Sequence, residues 1–488
     1  MAIEAASATP APERSTTHVV LLACPGAGHV LPVAELARRI VAHNDGFTAT
    51  LVTHTNFSSG DHYASTFASL PPSVSTAQLP EMSIDDLPAD ARAETRIITI
   101  VKRALPHLRD LLLRLLDSPA GVAAFVPDLF CPWALEVSGE LGIPGYIFCP
   151  SNLMGLSSLL YTPELDRTTT CEFRDLPDLV RLPGCVPLHG ADLVDTIQDR
   201  GDPAYPLMVE LGEHYLLAQG FLVNTFDAME HETILAFQEL SDKGVYAPAY
   251  AVGPFVRSCS NESNKHSSLQ WLDAQPDGSV LYVCFGSGGT LSTAQTAELA
   301  AGLEASGQRF LWVTQFPSDK DRCASFFGGG RDGDSPVNYL PEGFVERTRG
   351  TGLAVPLWAP QVEVLNHPAV AGFVSHCGWN STLEAVAAGV PTMAWPLYAE
   401  QRMNAVMLSE RVGLALRPRA REEDGVVPRD EVARVARELM VGEKGAAARK
   451  KARELREAAQ KGLAPGGKSR EALEAIAGKW KKAVGNGN

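Results

Sequence analysis

Residues 358–401 read WAPQVEVLNHPAVAGFVSHCGWNSTLEAVAAGVPTMAWPLYAEQ, and the order of elements inside them decides the fold. Ala371–Ser375 (AGFVS) is a short apolar run suited to a buried parallel strand. Ser381–Ala388 (STLEAVAA) has helical composition and period, with Gly389 as its stop and Pro391 just beyond. A second apolar run follows at Thr392–Trp395, and the stretch closes on Glu400 and Gln401. Between strand and helix lies the polar turn His376-Cys377-Gly378-Trp379-Asn380-Ser381. A helix start offers free backbone N–H groups and a positive dipole end, both of which favour a phosphate. His376, Asn380 and Ser381 add side-chain donors at that edge, and Glu384 lies one turn in, where a carboxylate can grip a ribose diol. Such a layout fits a nucleotide-sugar site. A plainer reading stays open: Ser381-x-x-Glu384 also fits a capping box, and His376 and Trp379 could simply pack at a strand end.

Working outward, strands and helices alternate on both sides of this stretch. Before it come apolar runs at Val19–Ala23, Thr48–Thr53, Ala123–Val126, Gly145–Phe148 and Gly220–Asn224, separated by helical segments. A second set starts at Ser279–Phe285 and continues through Phe310–Thr314 and Gly352–Val355 into the quoted stretch. This alternation predicts α/β architecture: two doubly wound, Rossmann-like domains with a cleft between them. The expected boundaries are a disordered leader at 1–16, a first domain at 17–255, a linker at 256–268 and a second domain at 269–465. A final helix within 466–488, centred on Ser469–Lys482, is expected to pack back on the first half. Ser318–Asn338 is rich in Gly, Asp and Ser and reads as a mobile surface loop.

Composition narrows the partners. The chain has 488 residues, 45% hydrophobic and 20% charged, with a formal net charge of −15. That charge, with no long basic run, argues against nucleic acid and anionic membranes, so an anionic ligand must be held by local donors. Nine cysteines without a C-x-x-C pair signal neither a zinc site nor a disulfide framework. No secretory signal and no apolar run of membrane-span length is present, and a cytoplasmic monomer without membrane insertion is expected.

The first βα turn, Cys24-Pro25-Gly26-Ala27-Gly28-His29, lacks the third glycine of a dinucleotide fingerprint. It ends instead in His29, at the carboxyl end of the first strand, where ligands bind in open α/β sheets. An imidazole there suits a general base, although a helix-capping role is an equal alternative. Asp128, after another strand of the same sheet, is the best-placed acid to orient it, or else an ordinary turn residue after Pro127. In the second half, Phe285-Gly286-Ser287-Gly288-Gly289-Thr290 follows a strong strand, and Ser287 could bind a phosphate oxygen. It is neither a nucleophile elbow nor a Walker A loop, and no metal-binding signature occurs.

These residues carry a resemblance. The 358–401 stretch resembles the box that marks plant family-1 UDP-dependent glycosyltransferases, with its HCGWNSTLE core and closing EQ intact. The likeness extends through PGAGHVLP (25–32), Asp128-Leu129-Phe130, CEFRDLPDLVRLPGCVPL (171–188) and FGSGGTLS (285–292), and is nearest to the hydroquinone glucosyltransferase (arbutin synthase) group. The resemblance implies GT-B architecture and inverting transfer of glucose from UDP-glucose to a small aromatic acceptor, without cofactor or metal. It implies that Trp358 stacks on uracil, Ala359 gives backbone contacts, Gln361 lies near the ribose and Glu384 binds its hydroxyls. His376, Asn380, Ser381 and Ser287 would hold the diphosphate, and Trp379, Glu400 and Gln401 the hexose. His29 would be the base and Asp128 its partner, with Leu129, Phe130 and Phe148 against the acceptor. A hydroquinone-, monolignol- or flavonoid-type phenol is expected, with anilines as further acceptors. A UDP-sugar epimerase of the same fold and a non-catalytic UDP-sugar-binding protein are the alternatives.

Overall fold

The computed structural model describes residues 16–56, 66–88, 90–257, 266–320, 322 and 333–485. The expected leader (apart from residue 16), most of the expected linker (258–265) and much of the expected surface loop (321 and 323–332) lie outside them. Two parallel sheets organise the chain. In the first, β1 (Thr17–Leu22), β2 (Phe47–His54), β3 (Val74–Leu79) and β4 (Ala124–Pro127) run in the order β3-β2-β1-β4. Three further strands, β5 (Ile147–Cys149), β6 (Phe221–Val223) and β7 (Ala249–Ala251), extend it in the order β5-β6-β7. Parallel bridges from Phe125 to Gly145 and from Asp128 to Phe148 join β4 to β5. The second sheet runs β10-β9-β8-β11-β12-β13. Its strands are β8 (Val280–Cys284), β9 (Arg309–Thr314), β10 (Gly352–Pro356), β11 (Val370–Ser375), β12 (Thr392–Ala394) and β13 (Ala415–Leu416).

The strands read most clearly from sequence are buried on both faces: every residue of β1 and of β8 is buried. That is the signature of a parallel sheet covered by helices on each side. β3 (VSTAQL) escaped the sequence reading because it is an outer strand whose middle residues face water.

Topology positions the site. From β1 the chain moves outward to β2 and β3, then returns to place β4 on the other side of β1. It does the same from β8 through β9 and β10 to β11. Each reversal opens a crevice beyond the carboxyl ends of the two central strands, where ligands settle in open α/β sheets. His29 follows β1 and Asp128 follows β4; Ser287 follows β8 and the 376–381 turn follows β11. All the polar turns singled out in the sequence therefore sit at the two switch points.

The end of the chain reaches back to the first sheet. Leu473, Ile476, Ala477 and Trp480, from the Lys468–Gly485 helix, share a core with Val19, Leu21 and Val33. The Trp480 ring meets Tyr146 edge-on, with centroids 5.5 Å apart. Among the described residues, no helix is long and apolar enough to cross a membrane.

Candidate functional site

The Ala27–His43 helix starts after Gly26, whose φ of 118° is open to glycine, and no side chain caps it. His29 therefore does not serve as a cap. Its Nδ1 lies 3.0 Å from Oδ2 of Asp128, which is fully buried. The other Asp128 oxygen accepts the Phe130 N–H at 3.0 Å, so the carboxylate is fixed from two sides. Burial pulls the His29 pKa down, but the charge and hydrogen bond of Asp128, helped by Glu400, outweigh it and leave it raised. With Nδ1 engaged by the carboxylate, Nε2 is the nitrogen left for a substrate. Cys24 completes a trio with His29 and Asp128 whose ligand atoms lie within 4.8 Å of one another. Burial and the Asp128 charge push the Cys24 thiol pKa well up, so it is a reluctant thiolate.

Across the cleft, the helix after β11 begins at Trp379, two residues earlier than the sequence pattern suggests, with Gly378 as its cap residue. Ser381 is thus inside the first turn, no side chain caps the start, and the capping-box reading is wrong. Ser381 Oγ instead accepts from Gln361 Nε2 at 2.8 Å, and the same amide donates to Glu384 Oε2 at 2.7 Å. Glu384 is 8% exposed, and burial raises its pKa despite Gln361 and the nearby Arg257. Its other oxygen is 3.7 Å from the Arg257 guanidinium. His376 is buried, its Nδ1 has no partner among the described residues, and burial depresses its pKa to about 4. It is neutral at physiological pH, so it offers a hydrogen bond rather than a charge. Its ring lies against Gly286 and Gly378: a Cβ on Gly286 would come within 2.7 Å of it. Trp358 stands 62% exposed with His266 at its edge, while the adjoining Ala359 is buried.

The two halves touch through this turn. Trp379 Nε1 donates to the Asn224 carbonyl at 2.7 Å, and Asn380 Nδ2 to the Gly28 carbonyl at 2.9 Å. The Trp379 indole N–H is therefore taken, leaving its ring and backbone for a ligand. Gln401 accepts the Leu397 and Tyr398 N–H groups with its carbonyl oxygen, which leaves its NH₂ to donate. Glu400 Oε1 accepts from Ser151 Oγ at 2.8 Å.

A cavity of about 300 Å³ gathers His29, Leu129, Phe130, Ser287, His376, Trp379, Asn380, Ser381, Glu400 and Gln401. Phe148 is not among its lining residues. It is fully buried and stacked on Phe255, on the opposite face of β5 from Ile147 and Cys149. Side chains alternate along a strand, so the β5 residue that lines the cavity is Cys149, one position on. The sequence reading also missed Glu94, Ser151, Thr196 and Met208. Glu94, at the start of the Ala93–Leu116 helix, brings a carboxyl whose pKa burial raises. Nothing in its local pattern separates it from an ordinary acid in a first helical turn.

A sequence profile of UDP-glucoronosyl and UDP-glucosyl transferases matches residues 253–420. A hydroquinone glucosyltransferase from Rauvolfia serpentina is 44% identical over 470 residues, 96% of this chain and 99% of that protein. Among solved structures, a UDP-glucosyltransferase from Polygonum tinctorium, capable of glucosylating indoxyl and complexed with 3,4-dichloroaniline, superposes with a TM-score of 0.88. It is 44% identical, covering 97% of this chain and 100% of that one. Phytolacca americana UGT2, complexed with UDP-2-fluoro-glucose and pterostilbene, gives a TM-score of 0.85 at 42% identity, over 96% and 100% of the two chains.

Proposed function

This chain belongs to the plant family-1 UDP-dependent glycosyltransferases, and from that premise we propose how its residues transfer glucose to a small phenol. It is an enzyme of GT-B fold that uses a UDP-sugar. The observation that carries the mechanism is the His29–Asp128 pair opening on the same cavity as the 376–381 turn. In our reading His29 Nε2 takes the acceptor hydroxyl proton while the oxygen attacks the anomeric carbon of UDP-α-glucose from the face opposite the diphosphate. The C–O bond to UDP breaks as the new one forms, and a β-glucoside results. Asp128 fixes the ring and stabilises the imidazolium. The departing diphosphate gains charge, and the helix start with its neutral donors stabilises that charge without the mechanism calling on a metal.

On the donor side, the exposed Trp358 ring takes the uracil, with Ala359 and Gln361 beside it and Glu384 on the ribose. Ser287, His376, Asn380 and Ser381 hold the diphosphate, and Trp379, Glu400 and Gln401 the hexose. Leu129 and Phe130 form the apolar wall for the aglycone; Phe148, packed on the other face of β5, takes no part in it. We assign acceptor binding to 17–255 and donor binding to 269–465. The chain works as a cytoplasmic monomer, a setting consistent with the free thiols among the described residues. Anilines are included as acceptors because a UDP-glucosyltransferase 44% identical to this chain is complexed with one.

The test is UDP release and product mass with UDP-glucose alone, with hydroquinone and with 3,4-dichloroaniline. A glucoside with each acceptor, and almost no turnover without one, is expected. An epimerase would alter the sugar without acceptor, and a sensor would bind it unchanged. His29→Ala should cut phenol glucosylation by roughly 10²–10⁴-fold while UDP-glucose still binds by calorimetry. Wild-type turnover in that variant would remove His29 from the mechanism.

A further inference from the structure

The hexose end of the donor site is held by residues of the other half. Ser151 Oγ, beyond β5, donates to Glu400 Oε1 at 2.8 Å. The neighbouring Asn152, fully buried, donates from Nδ2 to Asn404 Oδ1 at 2.6 Å, across 252 positions of sequence. Asn404, also fully buried, spends its own NH₂ on the Cys377 carbonyl at 2.9 Å and reaches Glu400 Oε1 at 3.5 Å. Cys377 has a φ of 64°, a left-handed conformation that a non-glycine residue holds only where its surroundings impose it. It sits in the turn that presents His376 and Asn380.

Asn152 is itself fixed. Its Oδ1 accepts the Gly155 N–H at 2.7 Å and so caps the Leu153–Thr168 helix. The two intervening N–H groups, of Leu153 and Met154, go to the buried Glu230 carboxylate at 2.9 and 2.8 Å. With its oxygen pinned to the helix start, the Asn152 amide has one orientation in which its NH₂ meets Asn404.

We propose that Ser151 and Asn152 are positioning residues for the donor, reaching from the acceptor half through Asn404 to set Glu400 and the Cys377 turn. This rests on the reading that Glu400 holds the hexose. The hexose subsite therefore draws on both halves, and donor recognition depends on the contacts between them. The two residues act at different points. Among the described residues the Ser151 hydroxyl donates to Glu400, so it governs the sugar. Asn152 works through Asn404 on both Glu400 and the phosphate turn, so it governs sugar and diphosphate alike.

The experiment compares UDP and UDP-glucose on Ser151→Ala, Asn152→Ser and Glu400→Ala, with kcat and KM for the donor and calorimetric Kd for UDP. Ser can still cap the helix but cannot span to Asn404. Ser151→Ala should raise the UDP-glucose KM by about tenfold and leave the UDP Kd unchanged, because UDP lacks the hexose. Asn152→Ser should weaken both by about tenfold. Combining Asn152→Ser with Asn404→Ser should cost no more than Asn404→Ser alone, which a purely local helix defect would not reproduce. Wild-type UDP-glucose KM in Ser151→Ala, with a raised one in Glu400→Ala, overturns the proposal and spares the hexose assignment. A wild-type KM in Glu400→Ala removes that assignment and the proposal together. Should Asn152→Ser melt early, Ser151→Ala decides alone.

Discussion

His29 sits where two influences on its basicity oppose each other. Burial favours the neutral ring, while Asp128, and more weakly Glu400, favour the imidazolium; the carboxylates prevail. The base form must be neutral, so kcat/KM should climb as pH rises through a His29 pKa held above the ordinary value. Asp128→Asn removes the main upward influence, and the acidic limb of the profile should then move to lower pH. Turnover should still fall by roughly 10²-fold or more, because a neutral amide neither holds the tautomer nor stabilises the imidazolium. An unmoved limb would take Asp128 out of the pair. Glu384 is tested in the other half. Its buried carboxylate already accepts from Gln361, and a ribose diol would add charge-assisted bonds. Glu384→Gln should weaken UDP by about 10–100-fold in calorimetry; an unchanged Kd would leave Glu384 as no more than the partner of Gln361.

At the scale of elements, the strand–turn–helix unit around His376 depends on two glycines for different reasons. Gly378 has φ −60°, which any residue adopts, but an added Cβ would press on His376 Nε2. Gly389, the C-cap of the same helix, has φ 74°, and the nearest atoms to a Cβ there belong to the Arg456 side chain, at 3.3 Å or more. Gly378→Ala should therefore displace the ring, raising the UDP-glucose KM by about tenfold and costing about 1–3 kcal/mol. Gly389→Ala should cost about 1 kcal/mol through its backbone alone and leave the donor KM unchanged. Equal donor KM values in the two variants would show that the ring position is immaterial. The strand, turn and helix were legible because apolar period and glycine punctuation are local signals. Phe148 was misplaced because β5 is three residues long, too short for an alternation to reveal which face a side chain takes. Glu230 and Asn404 went unread for another reason. A buried polar residue is recognised by its partner, and these partners lie 76 and 252 positions away.

At the scale of the whole molecule, the cleft was inferable because strands and helices alternate in each half, which predicts two doubly wound sheets, and ligand turns gather at the switch points of such sheets. The contacts that hold the halves together were not, since they pair residues of ordinary local character. Arg402 with Asp195 and Arg417 with Asp192 are partly exposed ion pairs of this kind. Exposed pairs contribute little each, so cohesion must come from burial. The last helix supplies part of it, beside the buried cluster that joins Trp379 and Met403 to Leu153 and Met154: Trp480 is 1% exposed against Tyr146, in a core otherwise built from the first sheet and its helices. The chain therefore completes the acceptor half only after the donor half has been made. Trp480→Ala should cost about 3–5 kcal/mol in urea unfolding, with Trp480→Phe recovering most of it. The loss should fall on the acceptor half, so UDP binding should outlast glucosylation as urea rises. If the two vanish at the same urea concentration in Trp480→Ala, the halves unfold as a single unit and the helix stabilises both equally.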